Sequence, residues 1–262
     1  MPPELEYVSC ILCQTDDTAL VYKKGNLTYV RCQKCGLVYV NPRLKGKSLQ
    51  EVYEGSATRA WWKKLLYSRR TISSFKNLEY RFQRAERLMY EVTKYKDKGR
   101  ILDIGCNRGF LLATAVSWGW EGYGIEIVPW FPQVITREFP LKIFNQPLRK
   151  ISPPFEDHFF DAITMIDIIE HLNDPLSDLK EIHRILTPDG ILLINTVDLG
   201  SAYARSIGEQ WGSINPREHL YLFDRCTLQK IANHTGFKIL TIQPSKGSIG
   251  EMEVHLSRCS SH

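Results

Sequence analysis

The chain has 262 residues, of which 43% are hydrophobic and 24% are charged. This is the composition of a globular protein long enough for one full domain and a smaller module. No apolar run approaches the ~20 residues that a membrane-spanning helix needs, so we expect no membrane span. The first residues, Met1 to Glu6, lack the basic and apolar segments of a secretory signal peptide, which favours a cytoplasmic protein.

Four of the seven cysteines form two C-x-x-C pairs near the N-terminus. Cys10 and Cys13 are separated from Cys32 and Cys35 by 18 residues, which is a spacing typical of tetrahedral zinc sites. Residues 1–45 are therefore predicted to form a zinc ribbon. Four thiolates would fill the coordination sphere, so the metal should be structural. A redox role is less favoured, because neither pair begins a helix of a βαβ unit.

The net charge of +5 is unevenly distributed along the chain. Between Arg59 and Arg100 there are 13 Lys or Arg residues but only 4 Asp or Glu residues. Such a segment favours an anionic partner, either a phosphorylated or nucleotide-linked small molecule or RNA. A solvated helix face without a ligand is the alternative. Because the apolar residues here recur at helical spacing, residues 46–98 are predicted to form a basic helical cap or linker.

The remaining chain alternates short apolar segments with helical ones, as in a doubly wound α/β sheet. Seven strands are predicted, at residues 101–104, 122–126, 141–144, 159–166, 191–197, 237–242 and 252–256, with the last one antiparallel. Three ribbon strands are predicted at residues 19–23, 27–31 and 37–40. A turn is expected at residues 186–190, where Pro and Gly follow a helix.

A glycine-containing turn follows the first of the seven strands. Gly105 and Gly109 permit positive φ and let the backbone approach a ligand closely. The dinucleotide pattern G-x-G-x-x-G is not met, because Asn107 stands between the two glycines. Glu126 ends the second strand, 17 residues after Gly109. A carboxylate in this position can accept hydrogen bonds from both hydroxyls of a ribose, which predicts a nucleotide-like ligand.

These features resemble the first two motifs of class I S-adenosylmethionine (SAM)-dependent methyltransferases, although that family usually has glycine in place of Asn107. The resemblance implies an α/β fold with a doubly wound, Rossmann-like, seven-stranded sheet, an antiparallel last strand and SAM as the cofactor. It implies a SAM-binding domain at residues 99–262. The cofactor-binding residues that it implies are Asp103, Gly105, Cys106, Asn107, Gly109, Glu126, Ile127, Asn145, Gln146 and Asp167.

Residues 199–223 interrupt the alternation of strands and helices, and we call them the acceptor loop. The run from Glu218 to Phe223 resembles zinc-ribbon methyltransferases, some of which act on nucleotide-linked deoxysugars. In those enzymes a histidine and a tyrosine of this loop flank the acceptor, which implies catalytic roles for His219 and Tyr221. His219 would be the base, with loop anchoring as the alternative. His171 is a further catalytic candidate, with a structural role beside the cofactor as its alternative.

The predicted function is SAM-dependent methyl transfer to a small, anionic acceptor, such as a nucleotide-linked sugar or a cell-surface precursor. RNA methylation is one alternative, with the ribbon and the basic helices binding phosphates. The other alternative is a non-catalytic protein in which a SAM-type fold serves as an interaction scaffold. The acidic residue and glycines of the first motif, together with Glu126, argue against the scaffold, because a scaffold needs no cofactor-binding residues.

Overall fold

The computed structural model describes residues 4–45, 72–128 and 138–259, with side chains from residue 78 onward in the first helix. Residues 46–71 of the predicted basic cap lie outside the described residues. The strands are β1 (Leu5–Glu6), β2 (Thr18–Lys24), β3 (Leu27–Cys32), β4 (Val38–Val40), β5 (Arg43–Leu44), β6 (Arg100–Ile104), β7 (Glu121–Ile125), β8 (Lys142–Phe144), β9 (Phe160–Ile166), β10 (Leu186–Val197), β11 (Tyr221–Leu222), β12 (Phe237–Pro244) and β13 (Glu251–Arg258). The α-helices of the same residues are α1 (Ile72–Thr93), α2 (Phe110–Ser117), α3 (Pro175–Ile185), α4 (Ala202–Ile207) and α5 (Arg225–His234).

Seven strands form one sheet in the order β12-β13-β10-β9-β6-β7-β8. Strands β6, β7 and β8 pair in parallel, whereas β13 runs antiparallel to both β10 and β12. The predicted α/β class and the antiparallel last strand are therefore confirmed. The apolar residues of β6, Ile101, Leu102 and Ile104, are buried, as expected for a strand that is covered on both faces.

The chain divides into two compact units. The first comprises Met1–Leu49, Met165–His183 and Leu192–His262, and the second comprises Gln50–Thr164 and Arg184–Ile191. In the second unit, helix α2 packs closely on strand β7. A Cβ added to Gly124 would lie 2.8 Å from Leu112 Cδ1, so this approach of helix and strand requires a residue without a side chain.

The first unit contains a four-stranded antiparallel sheet in the order β11-β4-β3-β2. Three of these strands are the predicted ribbon strands. The fourth, β11, comes from the acceptor loop and pairs Tyr221 with Tyr39 and Leu222 with Val38. This pairing could not be predicted from the sequence, because a two-residue strand carries no periodicity that could be recognised.

The predicted turn at residues 186–190 is included in strand β10, which begins at Leu186. The chain nevertheless folds back here. A Cβ added to Gly190 would lie 2.7 Å from Leu186 Cδ1 and 2.8 Å from Thr187 Oγ1. An extended chain of this length would separate the two ends by roughly 13 Å. The strand assignment and the predicted turn are thus compatible.

Candidate active site

The glycine turn after β6 has the backbone conformation that its sequence predicts. Gly105 and Gly109 both have φ of 78°, and Asn107 between them has φ of 48°. Asparagine is one of the few residues with a side chain that tolerates this left-handed region, which explains why it can replace a glycine. Gly109 is the N-cap residue that directly precedes helix α2. The turn therefore leads directly into the helix.

Glu126 follows β7 and is nearly fully buried. Its Oε2 accepts a hydrogen bond of 2.9 Å from the Asn107 amide, and its Oε1 accepts one of 2.8 Å from the Val128 amide. Burial raises the pKa of this carboxyl, and the two amide bonds act in the opposite direction. Each oxygen retains a lone pair, so the oriented carboxylate can accept one further hydrogen bond at each oxygen.

The glycine turn also contains a buried acceptor that is not satisfied. The Oδ1 atom of Asn107 is buried and has no hydrogen-bond partner among the residues that the structure describes. Buried amide oxygens are normally hydrogen-bonded, so a ligand with a donor group is the expected partner. A SAM molecule carries such donors on its amino group, its ribose and its adenine. The turn therefore fits this cofactor.

Asp103, near the end of β6, is buried, and its Oδ1 accepts a 2.6 Å hydrogen bond from the Thr164 hydroxyl. Burial raises the pKa of Asp103 to about 7, and the nearby charge of Glu126 acts in the same direction. Thr164 was missed in the sequence analysis, because a threonine inside an apolar strand gives no signal of its partner.

The other predicted cofactor residues of the second unit differ in exposure. Cys106 is buried, and burial, followed by the charge of Asp103, raises the pKa of its thiol well above the usual range. Ile127 and Gln146 are half-buried, and Asn145 is exposed. The Asn145 side-chain amide donates a 2.9 Å hydrogen bond to the Glu126 carbonyl, which fixes the end of β8 against the end of β7. These residues directly follow the carboxyl ends of β6, β7 and β8 or lie within two residues of them, as Glu126 does at β7.

In the first unit, Asp167 directly follows β9 and has φ of 58°. Its Oδ1 accepts a 2.8 Å hydrogen bond from the side-chain amide of Asn195, and its own amide donates one of 2.9 Å to the Asn195 carbonyl. The Asn195 amide also donates to Glu251 Oε2 at 2.7 Å. Asn195 thus holds two carboxylates. This role could not be predicted, because an asparagine within an apolar strand gives no signal of its partners.

Glu170, His171 and His219 lie together in the first unit. One potential ligand atom from each residue lies within 4.8 Å of the other two, so the cluster could share a proton or hold a cation. The two imidazole rings are in edge-to-face contact, with their centroids 4.8 Å apart. Glu170 is nearly fully buried, and its Oε2 accepts a 2.9 Å hydrogen bond from the Thr196 hydroxyl. Glu170 was not predicted as a site residue, although it directly precedes His171.

Both histidines have the same tautomer in their neutral form. Nδ1 of His171 lies 2.8 Å from the Glu218 carbonyl, and Nδ1 of His219 lies 2.8 Å from the Ser213 carbonyl. A carbonyl only accepts, so each Nδ1 must carry the proton and each Nε2 is left with a free lone pair. Burial lowers the pKa of His171 to about 4 and lowers the pKa of His219. Both rings are therefore neutral imidazoles at neutral pH, protonated at Nδ1 alone.

Tyr221 is nearly fully buried and stacks on Phe223, with ring centroids 5.8 Å apart. Its hydroxyl donates a 3.4 Å hydrogen bond to the Asn173 carbonyl. Burial raises the pKa of this hydroxyl to about 12. These contacts support a packing role for Tyr221 more than contact with an acceptor. The predicted catalytic role of Tyr221 stays a prediction.

The buried Glu170 carboxyl should make stability fall as pH rises. Burial, and then the charge of Asp167, raises its pKa to about 8, whereas an unfolded glutamate titrates near 4.5. Between these values the native state holds a proton that the unfolded state loses, so stability decreases with pH. Between pH 6.5 and 8 the loss should be on the order of 2 kcal/mol.

A Glu170→Gln variant tests this expectation, because glutamine can still accept the Thr196 hydrogen bond but does not titrate. The free energy of unfolding is measured in urea at pH 6.5 and at pH 8. Between these two pH values it should fall less in the variant than in the wild type. Equal pH dependence in the two proteins would show that Glu170 ionises normally.

The four paired cysteines also come together. Their sulfur atoms lie within 4.8 Å of one another, and the Sγ atoms of Cys10 and Cys35 are 3.5 Å apart. Tetrahedral zinc with Zn–S bonds of ~2.3 Å requires sulfur separations of about 3.8 Å. Tyr39 supplies a second observation, because its buried hydroxyl has no hydrogen-bond partner among the described residues. Burial and the charges of Cys10 and Cys32 raise the pKa of Tyr39, so thiolates of a bound metal would suit this donor.

The strand order and the glycine turn with its carboxylate define the architecture of class I SAM-dependent methyltransferases. The chain matches the methyltransferase domain family over residues 77–242, more than half of its length, and it belongs to that family. No helix among the described residues is long and apolar enough to cross a membrane.

Individual relatives match shorter segments. An uncharacterized methyltransferase of Schizosaccharomyces pombe is 30% identical over 125 residues, covering 43% of this chain and 45% of that protein. The ubiquinone biosynthesis O-methyltransferase of Haemophilus ducreyi is 28% identical over 108 residues, covering 38% of this chain and 45% of that protein. The chain thus spans less than half the length of these relatives. The SAH-bound magnesium protoporphyrin IX methyltransferase of Synechocystis has the same fold, with a TM-score of 0.56 and 15% identity over 79% of this chain and 97% of that one.

Proposed function

We propose that this protein transfers a methyl group from SAM to a hydroxyl of a small-molecule acceptor. The observation that carries the proposal is the Glu126 carboxylate, which two backbone amides orient at the end of β7 beside a left-handed glycine turn. This arrangement suits a ribose, and the family to which the chain belongs uses SAM. The name of the Haemophilus relative, an O-methyltransferase, supports a hydroxyl as the acceptor group.

Residues of the second unit would hold the cofactor. Glu126 would accept hydrogen bonds from the ribose hydroxyls, and the unsatisfied Asn107 Oδ1 would accept one from a donor of the ligand. Gly105 and Gly109 let the backbone approach without a Cβ in the way. SAM, when bound, supplies a methyl group on a positively charged sulfur, and the protein mainly has to align donor and acceptor.

Residues of the first unit would handle the acceptor proton. A hydroxyl must lose its proton as the new bond forms, and a neutral histidine with a free ring nitrogen is suited to take it. His219 offers Nε2 for this purpose, because its Nδ1 proton is held by the Ser213 carbonyl. His171 contacts the His219 ring and holds the Glu218 carbonyl, which supports a positioning role. The neutral imidazole of His219 can therefore act as the base at neutral pH, and no charged base is needed.

A nucleotide-linked sugar or another anionic acceptor is the finer part of the proposal. It depends on the basic segment, much of which lies outside the described residues. A test is a panel of phenols, nucleotide sugars and RNA, incubated with methyl-labelled SAM. Label in a small molecule is the expected result, and label in RNA alone would contradict the proposal. Cytoplasmic location stays a prediction.

The proposed metal is one structural zinc ion per chain, bound by Cys10, Cys13, Cys32 and Cys35. Elemental analysis of protein purified without added metal should find about one equivalent, with Zn–S distances of ~2.3 Å by X-ray absorption. Cys32→Ser should lower the content well below one equivalent.

Cys226→Ser is the matched control, because Cys226 is an exposed thiol outside the cluster, and it should leave the content unchanged. A well-folded wild-type protein without zinc would contradict the ribbon. A second equivalent that His219→Asn removes would place a cation at the histidine cluster.

A further inference from the structure

The ribbon and the acceptor loop are joined by hydrogen bonds within the first unit. The Tyr29 hydroxyl of β3 donates a 2.7 Å hydrogen bond to the backbone carbonyl of His219. The Val40 amide of β4 donates one of 2.9 Å to the Leu220 carbonyl. Strand β11 then continues this pairing along β4. The backbone from the carbonyl of the proposed base to Leu222 is therefore held by the ribbon.

The hydrogen bond from Tyr29 to the acceptor loop is partly buried. The Tyr29 side chain is fully buried, and its ring meets Tyr22 edge to face at 6.4 Å. Removing one partner of a buried hydrogen bond leaves the other unsatisfied, which costs more than the net value of the bond. Without the Tyr29 hydroxyl, the His219 carbonyl would have to find another donor, and the loop would move to do so.

The same two strands lead to the cysteine cluster. Cys32 is the last residue of β3, and Cys35 lies in the turn that connects β3 to β4. The turn is closed by hydrogen bonds from the Cys32 amide to the Leu37 carbonyl and from the Gly36 amide to the Cys32 carbonyl. Lys230 of α5 adds a 2.8 Å hydrogen bond to the Cys35 carbonyl. A metal bound here would hold β3 and β4 together at their cysteine end.

The position of β11 argues against the pairing of a strand from another protein with β4. Strands β3 and β4 both have neighbours on each side in the order β11-β4-β3-β2, so β4 presents no free edge. Strand β11 occupies the position that an added strand would take. The occupant of this edge is part of the same chain.

We propose that the ribbon serves as the support of the acceptor loop, that Tyr29 is a positioning residue for His219, and that bound metal keeps the loop in its ordered form. The proposal rests on the proposed catalytic role of His219 for its functional meaning. The structural coupling itself can be measured without SAM or an acceptor, so its failure is distinguishable from failure of the proposed function.

The first test compares Tyr29→Phe with Tyr22→Phe in the zinc-loaded, full-length protein. Each variant loses one hydroxyl from a pair of cross-strand tyrosines, but of these two hydroxyls the structure shows a hydrogen bond to the acceptor loop for that of Tyr29 alone. Hydrogen exchange of the amides from Arg217 to Leu222 should be roughly tenfold faster in Tyr29→Phe, because the hydrogen bond that the buried Tyr29 side chain makes to this segment is lost. It should be unchanged in Tyr22→Phe.

A spectroscopic signature separates positioning from general loosening. Long-range ¹H–¹⁵N correlation of the histidine rings, assigned with His219→Asn, should show the Nδ1–H tautomer of His219 in the wild type. In Tyr29→Phe the signal should shift towards the mixed tautomers of an unconstrained imidazole, because the ring no longer keeps its bond to Ser213. Wild-type exchange and an unchanged tautomer in Tyr29→Phe would overturn the proposal.

Removal of zinc from the wild type provides a second arm in case Tyr29→Phe does not fold. After chelation, the amides of β3, β4 and β11 should lose protection together, whereas those of β6 and β7 should keep theirs. Loss of protection in β3 and β4 with full retention in β11 would also overturn the proposal. Absence of SAM binding would instead refute the proposed function and leave these measurements intact.

Discussion

Replacing Glu126 by alanine should weaken SAM binding by on the order of 10²-fold or more. The carboxylate is buried, and the Asn107 and Val128 amides hold it in one orientation, so it would meet the ribose without reorganisation. Two charge-assisted hydrogen bonds, each worth roughly 1.5–3 kcal/mol, would be lost. Isothermal titration of the zinc-loaded protein with SAM measures the change directly.

Glu121→Ala is a suitable control, because Glu121 lies in the same strand but is exposed and pairs with Lys142 at the surface. It should bind SAM as the wild type does. If Glu126→Ala and Glu121→Ala titrate alike, Glu126 does not contact the ribose. Circular dichroism of both variants should match the wild type, since Glu126→Ala removes contacts to only two amides.

His219→Asn should lower the turnover rate by roughly 10²–10⁴-fold while leaving SAM affinity unchanged. Asparagine can still donate a hydrogen bond towards Ser213, but it offers no basic nitrogen. The wild-type rate should rise with pH and reach a plateau. The midpoint of the rise should lie below the usual histidine pKa of ~6.5, because burial lowers the pKa of His219. The variant should lose this pH dependence along with the rate.

His234→Asn supplies the matched control, because His234 lies exposed at the end of α5. It should turn over an accepted substrate at the wild-type rate. Normal turnover in His219→Asn would mean that the acceptor needs no base from this residue, and that the acceptor loop only covers the site. A fall in SAM affinity instead of turnover would assign His219 to cofactor binding.

The sequence predicted those parts of the fold that rest on local patterns. The strand-turn-helix around Gly105 and Gly109 is recognisable because apolar residues, glycines and helix formers follow one another directly. The cysteine pairs are recognisable by their spacing, and Glu126 by its distance from the turn. Each of these signals lies within one short segment of the chain, and the structure brings the residues of each segment together.

Contacts between distant segments could not be predicted in the same way. The bond from Tyr29 to the His219 carbonyl joins residues that are 190 positions apart, and a tyrosine in a strand is ordinarily read as a packing residue. The tautomers of His171 and His219 depend on carbonyls that any residue could supply. The pairing of Tyr221 with Tyr39 joins distant segments in the same way, and the predicted contact of Tyr221 with the acceptor stays a prediction.

Titration of the zinc-loaded wild-type protein with SAM, and separately with NAD, tests the central claim most directly. We expect saturable binding of one SAM per chain, no binding of NAD, and loss of the SAM signal in Glu126→Ala. Binding of NAD without binding of SAM would contradict it, as would the absence of any SAM binding by a folded protein.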